Sequence, residues 1–230
     1  MRTLPIPFVA VLLIAATTAA KADLTIIQKT EGTINSGQLT LRIKGDKART
    51  DIAPQITMLT EMSSGDSTTI NHNAKTYMRI PGTEAAKLRA MAADLKPGAT
   101  TDAPKLTNTG RKEKIENREC EIFTWGVGNL QVTDWIARDY PNWQPILAEL
   151  VRFQNAGLGA AAQPLMPALD QFPGMVMKRE MTLKGTKTTS TLLSVSDVAL
   201  DAKLFELPEG YREQPAPKFP DPAPAPAPSK

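Results

Sequence analysis

The ten residues Leu41 to Thr50 read LRIKGDKART, and their alternation sets Arg42 and Lys44 on the same side as Lys47 and Arg49. Four cations gathered around a two-residue turn are the residue types that hold an anionic head group or a partner's acids. A solvated hairpin face carrying long cationic stems has the same pattern. With Gly45-Asp46 as the turn, Ile43 pairs with Ala48, Leu41 with Thr50 and Leu39 with Ile52, which makes one face apolar. On the other face Lys44 meets Lys47 and Arg42 meets Arg49. Like charges opposed across a ladder are mildly unfavourable, and Asp46 and Asp51 soften the repulsion.

A second group is built from thioethers. Met58 and Met62 share a strand face with Thr60, and Met78 shares one with Ile80. Met175, Met177, Met181 and Leu183 share another with Arg179. Unbranched, polarisable side chains adapt to irregular contents, so such a face suits flexible acyl tails, and equally suits plain core filling. With the hairpin's apolar face, this makes Leu39, Leu41, Ile43, Ile52, Met58 and Met62 candidate lining for a ligand, together with Met78, Met175, Met177 and Met181. Copper is poorly served: Met175-Val176-Met177 is short of ligands and His72 is the only imidazole. No metal site and no cofactor are expected.

Catalytic chemistry finds little to use. A nucleophilic serine or cysteine needs a base in hydrogen-bond reach, and the single histidine, His72, sits in an Asn-His-Asn-Ala turn where exposure is the ordinary state. Cys120 lies mid-strand in Arg-Glu-Cys-Glu-Ile-Phe, the setting of a buried inert thiol. Neither a Gly-rich phosphate loop after a strand nor an HExxH helix is present, and the acids are scattered. A non-enzyme is the expectation. Two carboxylates brought together by the fold, as glycosidases use, would revive a hydrolase.

The flanks set a compartment. Met1-Arg2 is basic, Phe8 to Ala16 (FVAVLLIAA) is an unbroken apolar run, and Ala20-Lys21-Ala22 fits the small-x-small cleavage rule, so residues 1–22 read as a secretory signal peptide. The run is much shorter than the about 20 apolar residues a bilayer core requires, so an integral membrane protein is not expected. At the other end Gln214 to Lys230 (QPAPKFPDPAPAPAPSK) places proline at nearly every second position, a disordered or polyproline tail that serves as a spacer or serves nothing. Removing Arg2 and Lys21 from the 27 basic residues leaves 25 against 24 acids. Near neutrality, with 5% aromatics, argues against nucleic acid as a partner. One cysteine excludes an internal disulfide framework. The about 190 residues between leader and tail suffice for one domain with a substantial interior.

Those residues must be positioned mainly by strands. Leu24–Lys29, Gly37–Lys44, Lys47–Ile52, Ile56–Met62, Thr68–Asn71 and Thr76–Ile80 are short β-type runs divided by turn residues. Pro81-Gly82-Thr83-Glu84 then opens a helical pattern with Ala85, Leu88, Met91 and Leu95 on one face, stopped by Lys96-Pro97-Gly98. Strand character resumes at Leu106–Arg111, Lys114–Trp125 and Leu130–Ala137, with Asn108-Thr109-Gly110 as a turn. A second helical stretch runs from Trp143 to Gly157 with Ile146, Leu147, Leu150, Val151 and Phe153 on its apolar face. Gly174–Lys184 and Thr188–Val198 complete the set, turning at Gly185. The pattern predicts a single α+β domain over residues 23–213: a curled antiparallel sheet of roughly ten strands, with two helical insertions laid on its concave face. Where cover and sheet do not fill each other, a dry cavity takes apolar guests.

Three stretches carry a family resemblance: KGDKARTDI, then TGRKEKIENRECEIFTW followed by LQVTDWIARD, then LLSVSDVALDAKLFELPEGYRE. In their order and spacing they resemble the bacterial domain of unknown function numbered 4412 (DUF4412), over Asp23 to about Glu213. That family is similar in outline to the LolA, LolB and LppX lipoprotein carriers, whose fold is a half-barrel of antiparallel strands closed by helices over an apolar cavity. Lys47, Arg49, Cys120, Trp135, Phe205, Pro208, Gly210 and Tyr211 match its recurring positions, and the family supplies no catalytic role for them. Phe205 and Tyr211 are expected to seal the sheet's final edge, Pro208 and Gly210 to shape the turn between them, and Trp135 to supply buried area. The resemblance implies an exported, periplasmic or secreted scaffold that handles a lipid or a lipoprotein. The competing expectation is an envelope protein–protein interaction module whose interior is fully packed and whose tail and outer face bind a partner protein.

Overall fold

The computed structural model of this chain describes residues 23–32, 36–94, 104–157 and 166–216. The leader and nearly all of the Pro/Ala tail lie outside them. Twelve strands form one sheet: β1 Leu24–Gly32, β2 Gly37–Lys44, β3 Lys47–Ile52, β4 Ile56–Glu61, β5 Ser67–Asn71, β6 Thr76–Ile80, β7 Thr107–Ile115, β8 Arg118–Val127, β9 Leu130–Ala137, β10 Met175–Leu183, β11 Thr186–Ser196 and β12 Arg212–Gln214. Two α-helices are described, α1 over Gly82–Asp94 and α2 over Trp143–Gln154.

The sheet order is β12-β6-β5-β4-β3-β2-β1-β11-β10-β9-β8-β7. Two runs of sequential antiparallel strands, β1 to β6 and β7 to β11, are thus joined at the centre by β1 pairing with β11. All neighbours are antiparallel except β12, which lies parallel to β6. The terminal strands β12 and β7 do not pair with each other, so the sheet is open and curled, as accumulated strand twist requires. Its edges are blunted: β12 has three residues, and β7 carries Arg111, Lys112, Glu113 and Lys114.

The β2–β3 hairpin has the expected register, with Lys44 opposite Lys47 and Leu39 opposite Ile52. Gly45 supplies the left-handed turn residue at φ 58°. Three strands differ from the sequence reading. Lys114–Trp125 is not one strand: Glu116 adopts φ 52° and turns the chain between β7 and β8. Asn108-Thr109-Gly110 is not a turn between strands but a bulge inside β7, where the Asn108 side chain accepts the Gly110 N–H at 2.8 Å. The parallel strand β12 was not anticipated; it runs through Gln214, the first residue of the stretch read as tail.

Three cross-strand rows define the inner face of the first six strands. Leu24, Ile43, Ala48, Thr60, Ser67 and Ile80 form a row that is buried throughout. Ile26, Leu41, Thr50, Met58, Thr69 and Met78 form the next, buried as far as Thr50 and half-buried beyond it. Gln28, Leu39, Ile52 and Ile56 begin the third and are half-buried. Helix α2 lies against this face, with Trp143, Ile146, Leu150 and Phe153 packed on the core formed by β1–β3 and β8–β11.

Two attachments hold α2 there. Arg152, ion-paired with Glu149, donates from Nη2 to the Gly45 carbonyl at 3.1 Å and so ties the helix to the β2–β3 turn. Beyond its C-terminus Gly157, at φ 51°, passes so close to β5 that a Cβ there would sit 2.6 Å from Ser67 Oγ. Helix α1 buries Ala85, and Leu88 and Met91 are half-buried, while Leu95 is outside the described residues.

Candidate ligand-binding site

Between the inner face, α2 and the 310 turn Leu169–Gln171 lies a cavity of about 400 Å3. Leu41, Leu150, Phe153, Phe172, Met175 and Leu192 form much of its wall. The sheet supplies residues on β1, β2, β3, β10 and β11, and α2 supplies the opposite side. A cavity of this size is within the range of small-molecule sites and is dominated by apolar side chains, which favours an apolar guest over water.

The candidate lining residues separate into groups. Leu39, Leu41, Met175 and Met181 border the cavity. Ile43 and Met177 are buried in the core instead, 1% and 5% exposed. Met58 and Met78 continue the Leu41–Thr50 row past the cavity border, and Ile52 lies in the row beside them. Met62 falls just after β4, where its N–H donates to the Asp46 carbonyl at 2.8 Å, and it packs against the core from there. A register shift between Val176 and Lys178 breaks strict alternation in β10, so Met177 and Arg179 do not share a simple period-two face.

Polar residues in the wall are few, and sequence periodicity did not single them out as a group. They are Gln28, Thr50, Gln154, Arg179 and Ser190. Arg179 donates from Nε to Asp134 Oδ1 at 2.6 Å and from Nη2 to Oδ2 at 3.1 Å. Asp134 is fully buried and also accepts from Trp125 Nε1 at 2.8 Å. The guanidinium lies 5.7 Å from the Trp125 ring centre and 5.8 Å from that of Phe172. The Thr50 hydroxyl is buried and without a hydrogen-bond partner among the described residues.

The four cations of the hairpin lie on the opposite, convex face. Arg42 pairs with Asp51 at 2.5 Å and Lys44 with Asp23 at 2.8 Å. Arg49 contacts Asp51 through Nε at 2.9 Å and donates from Nη1 to the Leu204 carbonyl at 2.8 Å. Lys47 is exposed. Burial pushes the Asp51 carboxyl up, but hydrogen bonds from Arg49 and Thr57 and the charges of Arg49 and Arg42 outweigh it and hold its pKa below the ordinary value. Three of the four cations therefore have internal anions as partners.

This face is covered by the chain's own C-terminal segment. Phe205 is 7% exposed, in the 310 turn Ala202–Phe205, and it shares a small hollow with Leu59, Leu207 and Lys47. His72 is not the free turn residue expected: its ring nitrogens lie 2.8 Å from Thr57 Oγ1 and 2.8 Å from Tyr211 Oη. Tyr211 thus reaches the β5–β6 turn, and β12 follows it along β6. Cys120 is fully buried, and burial pushes its thiol up, away from nucleophilic use. Trp135 is 6% exposed and donates to Glu113 Oε2 at 2.8 Å.

A larger and more polar hollow, about 610 Å3, opens at the N-terminal end of α2 beside Arg118, Tyr140, Ile146, Glu149 and Asp197. No cluster of three potential metal ligands occurs among the described residues. No helix among them is long and apolar enough to cross a membrane.

Fold and site together define a mostly-β protein whose open, curled sheet and one amphipathic helix border an apolar cavity. The chain belongs to the family described as "Domain of unknown function (DUF4412)", which matches residues 23–211. The curated proteins contain no match to it. Among solved structures it is similar to PNGF-II, with 13% identity and a TM-score of 0.39, covering 85% of this chain and 31% of that one. This chain therefore spans about a third of PNGF-II. It is also similar to the lipoprotein LppX of Mycobacterium tuberculosis, with 9% identity and a TM-score of 0.39, covering 78% of this chain and 88% of that one. A LolA superfamily protein of Nitrosomonas europaea shows 10% identity and a TM-score of 0.28 over 80% and 89% of the two chains. At these scores and identities none of the three carries a ligand or an activity to this chain.

Proposed function

We propose that this protein is exported to the periplasm and there binds an apolar or amphiphilic ligand, a lipid or a lipidated partner, without catalysing a reaction on it. The observation that supports the reading is the apolar cavity of about 400 Å3 between sheet and α2. On this reading the curled sheet works as a half-barrel and α2 as its cover. Filling such a hollow removes apolar surface from water at roughly 25 cal/mol per Å2, so an acyl chain gains from entering it. Export is suggested by the leader-like composition of residues 1–22, and a soluble holder is the kind of device that moves a lipid through an aqueous compartment. A fully packed interaction module accounts less well for the unfilled space.

Native mass spectrometry of protein purified from its own envelope tests this directly. A retained mass of lipid size is expected, and so is loss of that mass in Leu39→Trp and Met181→Trp, which fill the cavity from two strands. A bare protein mass, together with no uptake of the apolar fluorophore N-phenyl-1-naphthylamine, would overturn the proposal.

A further inference from the structure

The polar residues of the cavity wall are unevenly matched to one another, and the mismatch specifies a ligand group. Asp134 is already engaged: Oδ1 receives Arg179 Nε, and Oδ2 receives Arg179 Nη2 and Trp125 Nε1. The carboxylate is fully buried and is not part of the cavity wall. Arg179 has spent one edge of its fork on that pair, and Nη1 is left without a hydrogen-bond partner among the described residues. An arginine has five N–H donors and no acceptor. With Trp125 and Phe172 beside it, the guanidinium plane is held in place, facing the cavity it lines.

Three further wall residues surround the same space. Ser190 donates to Gln28 Oε1 at 3.5 Å, at the outer limit of a hydrogen bond, and leaves the Gln28 amide group unpaired among the described residues. Among the described residues Gln154 Nε2 has only the Met166 sulfur, at 3.8 Å, a weak acceptor. Each amide therefore brings at least one donor to a wall that is otherwise apolar apart from Arg179, Ser190 and the Thr50 hydroxyl. The arginine charge is balanced by Asp134, so the cavity as a whole is neutral, yet its accessible pole is the donor end of that pair.

We propose that the cavity selects an acyl chain bearing an oxygen acceptor, a carboxyl or ester group, and seats that oxygen on Arg179 with Gln28 and Gln154 as supporting donors. This rests on the carrier reading and narrows it to one ligand chemistry. An oxygen entering the cavity loses water and regains a charge-assisted donor, whereas a cationic head loses water and meets the guanidinium. A plain hydrocarbon fills the space but leaves the donors unpaired.

The test is displacement of N-phenyl-1-naphthylamine by two competitors with the same sixteen-carbon tail, hexadecanoate and hexadecyltrimethylammonium. The full chain should prefer hexadecanoate by at least about tenfold, the size of one well-made charged hydrogen bond. Methyl hexadecanoate, which has acceptors and no charge, should side with hexadecanoate. Gln28→Leu and Gln154→Leu, which leave the Arg179–Asp134 pair intact, should each reduce the preference several-fold. Arg179→Lys, which retains the charge for Asp134, should remove most of it. If the fluorophore binds and the two competitors displace it equally, the head-group assignment is wrong while the carrier reading survives. If the fluorophore does not bind at all, both fall.

Discussion

His72 and Tyr211, 139 residues apart, stand ring edge to ring face at 84° with Nδ1 and Oη 2.8 Å apart, and through this pair the C-terminal segment is fastened to the β5–β6 turn. The opposite ring nitrogen meets Thr57, itself bonded to Asp51 at 2.6 Å, so the fastening is continuous with the hairpin cations. Arg49 completes it by holding the Leu204 carbonyl.

Tyr211→Phe removes one hydrogen bond from that chain and should destabilise the protein by about 1 kcal/mol, with faster amide exchange at Arg212, whose N–H donates to the Lys75 carbonyl. Phe205→Ala, at a nearly buried ring, should cost about 3 kcal/mol. Urea titration and hydrogen exchange of the two variants measure both effects. Unchanged protection at Arg212 in Tyr211→Phe would show that the segment is held without this bond.

Removing Arg179 alone leaves Asp134 as an unpaired charge in a fully buried position. Arg179→Met should therefore lose about 3–5 kcal/mol of stability. The double replacement Arg179→Met with Asp134→Leu should recover much of that loss, because no buried charge remains. Denaturant midpoints of the two variants decide it, and equal midpoints would mean that the pair is not coupled.

The pH dependence has a definite sign. Asp23 is held below its ordinary pKa by the Leu200 N–H and by Lys44, and Asp51 by Arg49, Thr57 and Arg42 against the opposing effect of burial. A carboxyl whose folded-state pKa is depressed binds protons more weakly folded than unfolded. Its contribution is therefore complete above the unfolded value, about 4, and is lost as pH falls through the lower folded value. Thermal midpoints should fall on acidification below about pH 4. Asp51→Asn should start from a lower midpoint at neutral pH and show a shallower acid decline.

Cys120 should react with a thiol-specific disulfide reagent only as fast as the protein opens, since its side chain is fully buried and its thiol pKa is raised by that burial. Labelling should become rapid in denaturant. Rapid labelling of the native protein would contradict the packing of β8 against β9.

Much of this architecture was legible along the chain because it is local. Alternation and turn residues placed β2 to β6 and β9 to β11 within a few residues, and the Gly45-Asp46 turn predicted the register of Arg42 against Arg49 because a two-residue hairpin leaves no other pairing. The apolar face of α2 followed from 3.6-residue spacing. The failures were local competitions of another kind: Asn108 and Gly110 have the composition of a turn, yet the same Asx hydrogen bond serves a bulge within a strand, and Glu116 took a left-handed conformation that its residue type does not announce.

What only the tertiary structure decided are the encounters between residues far apart in sequence. The pairing of β1 with β11, the return of β12 to β6, the bond from Tyr211 to His72 and the grip of Arg179 on Asp134 carry no periodic signal, since each depends on how strand twist brings distant segments together. Composition named apolar and basic residues; the curl of the sheet determined that Leu41 and Met181 border a hollow while Ile43 and Met177 are packed, and that Arg49 serves the chain's own C-terminal segment. Side-chain type sets which contacts are favourable, and only the closed geometry of the whole chain sets which of them are made.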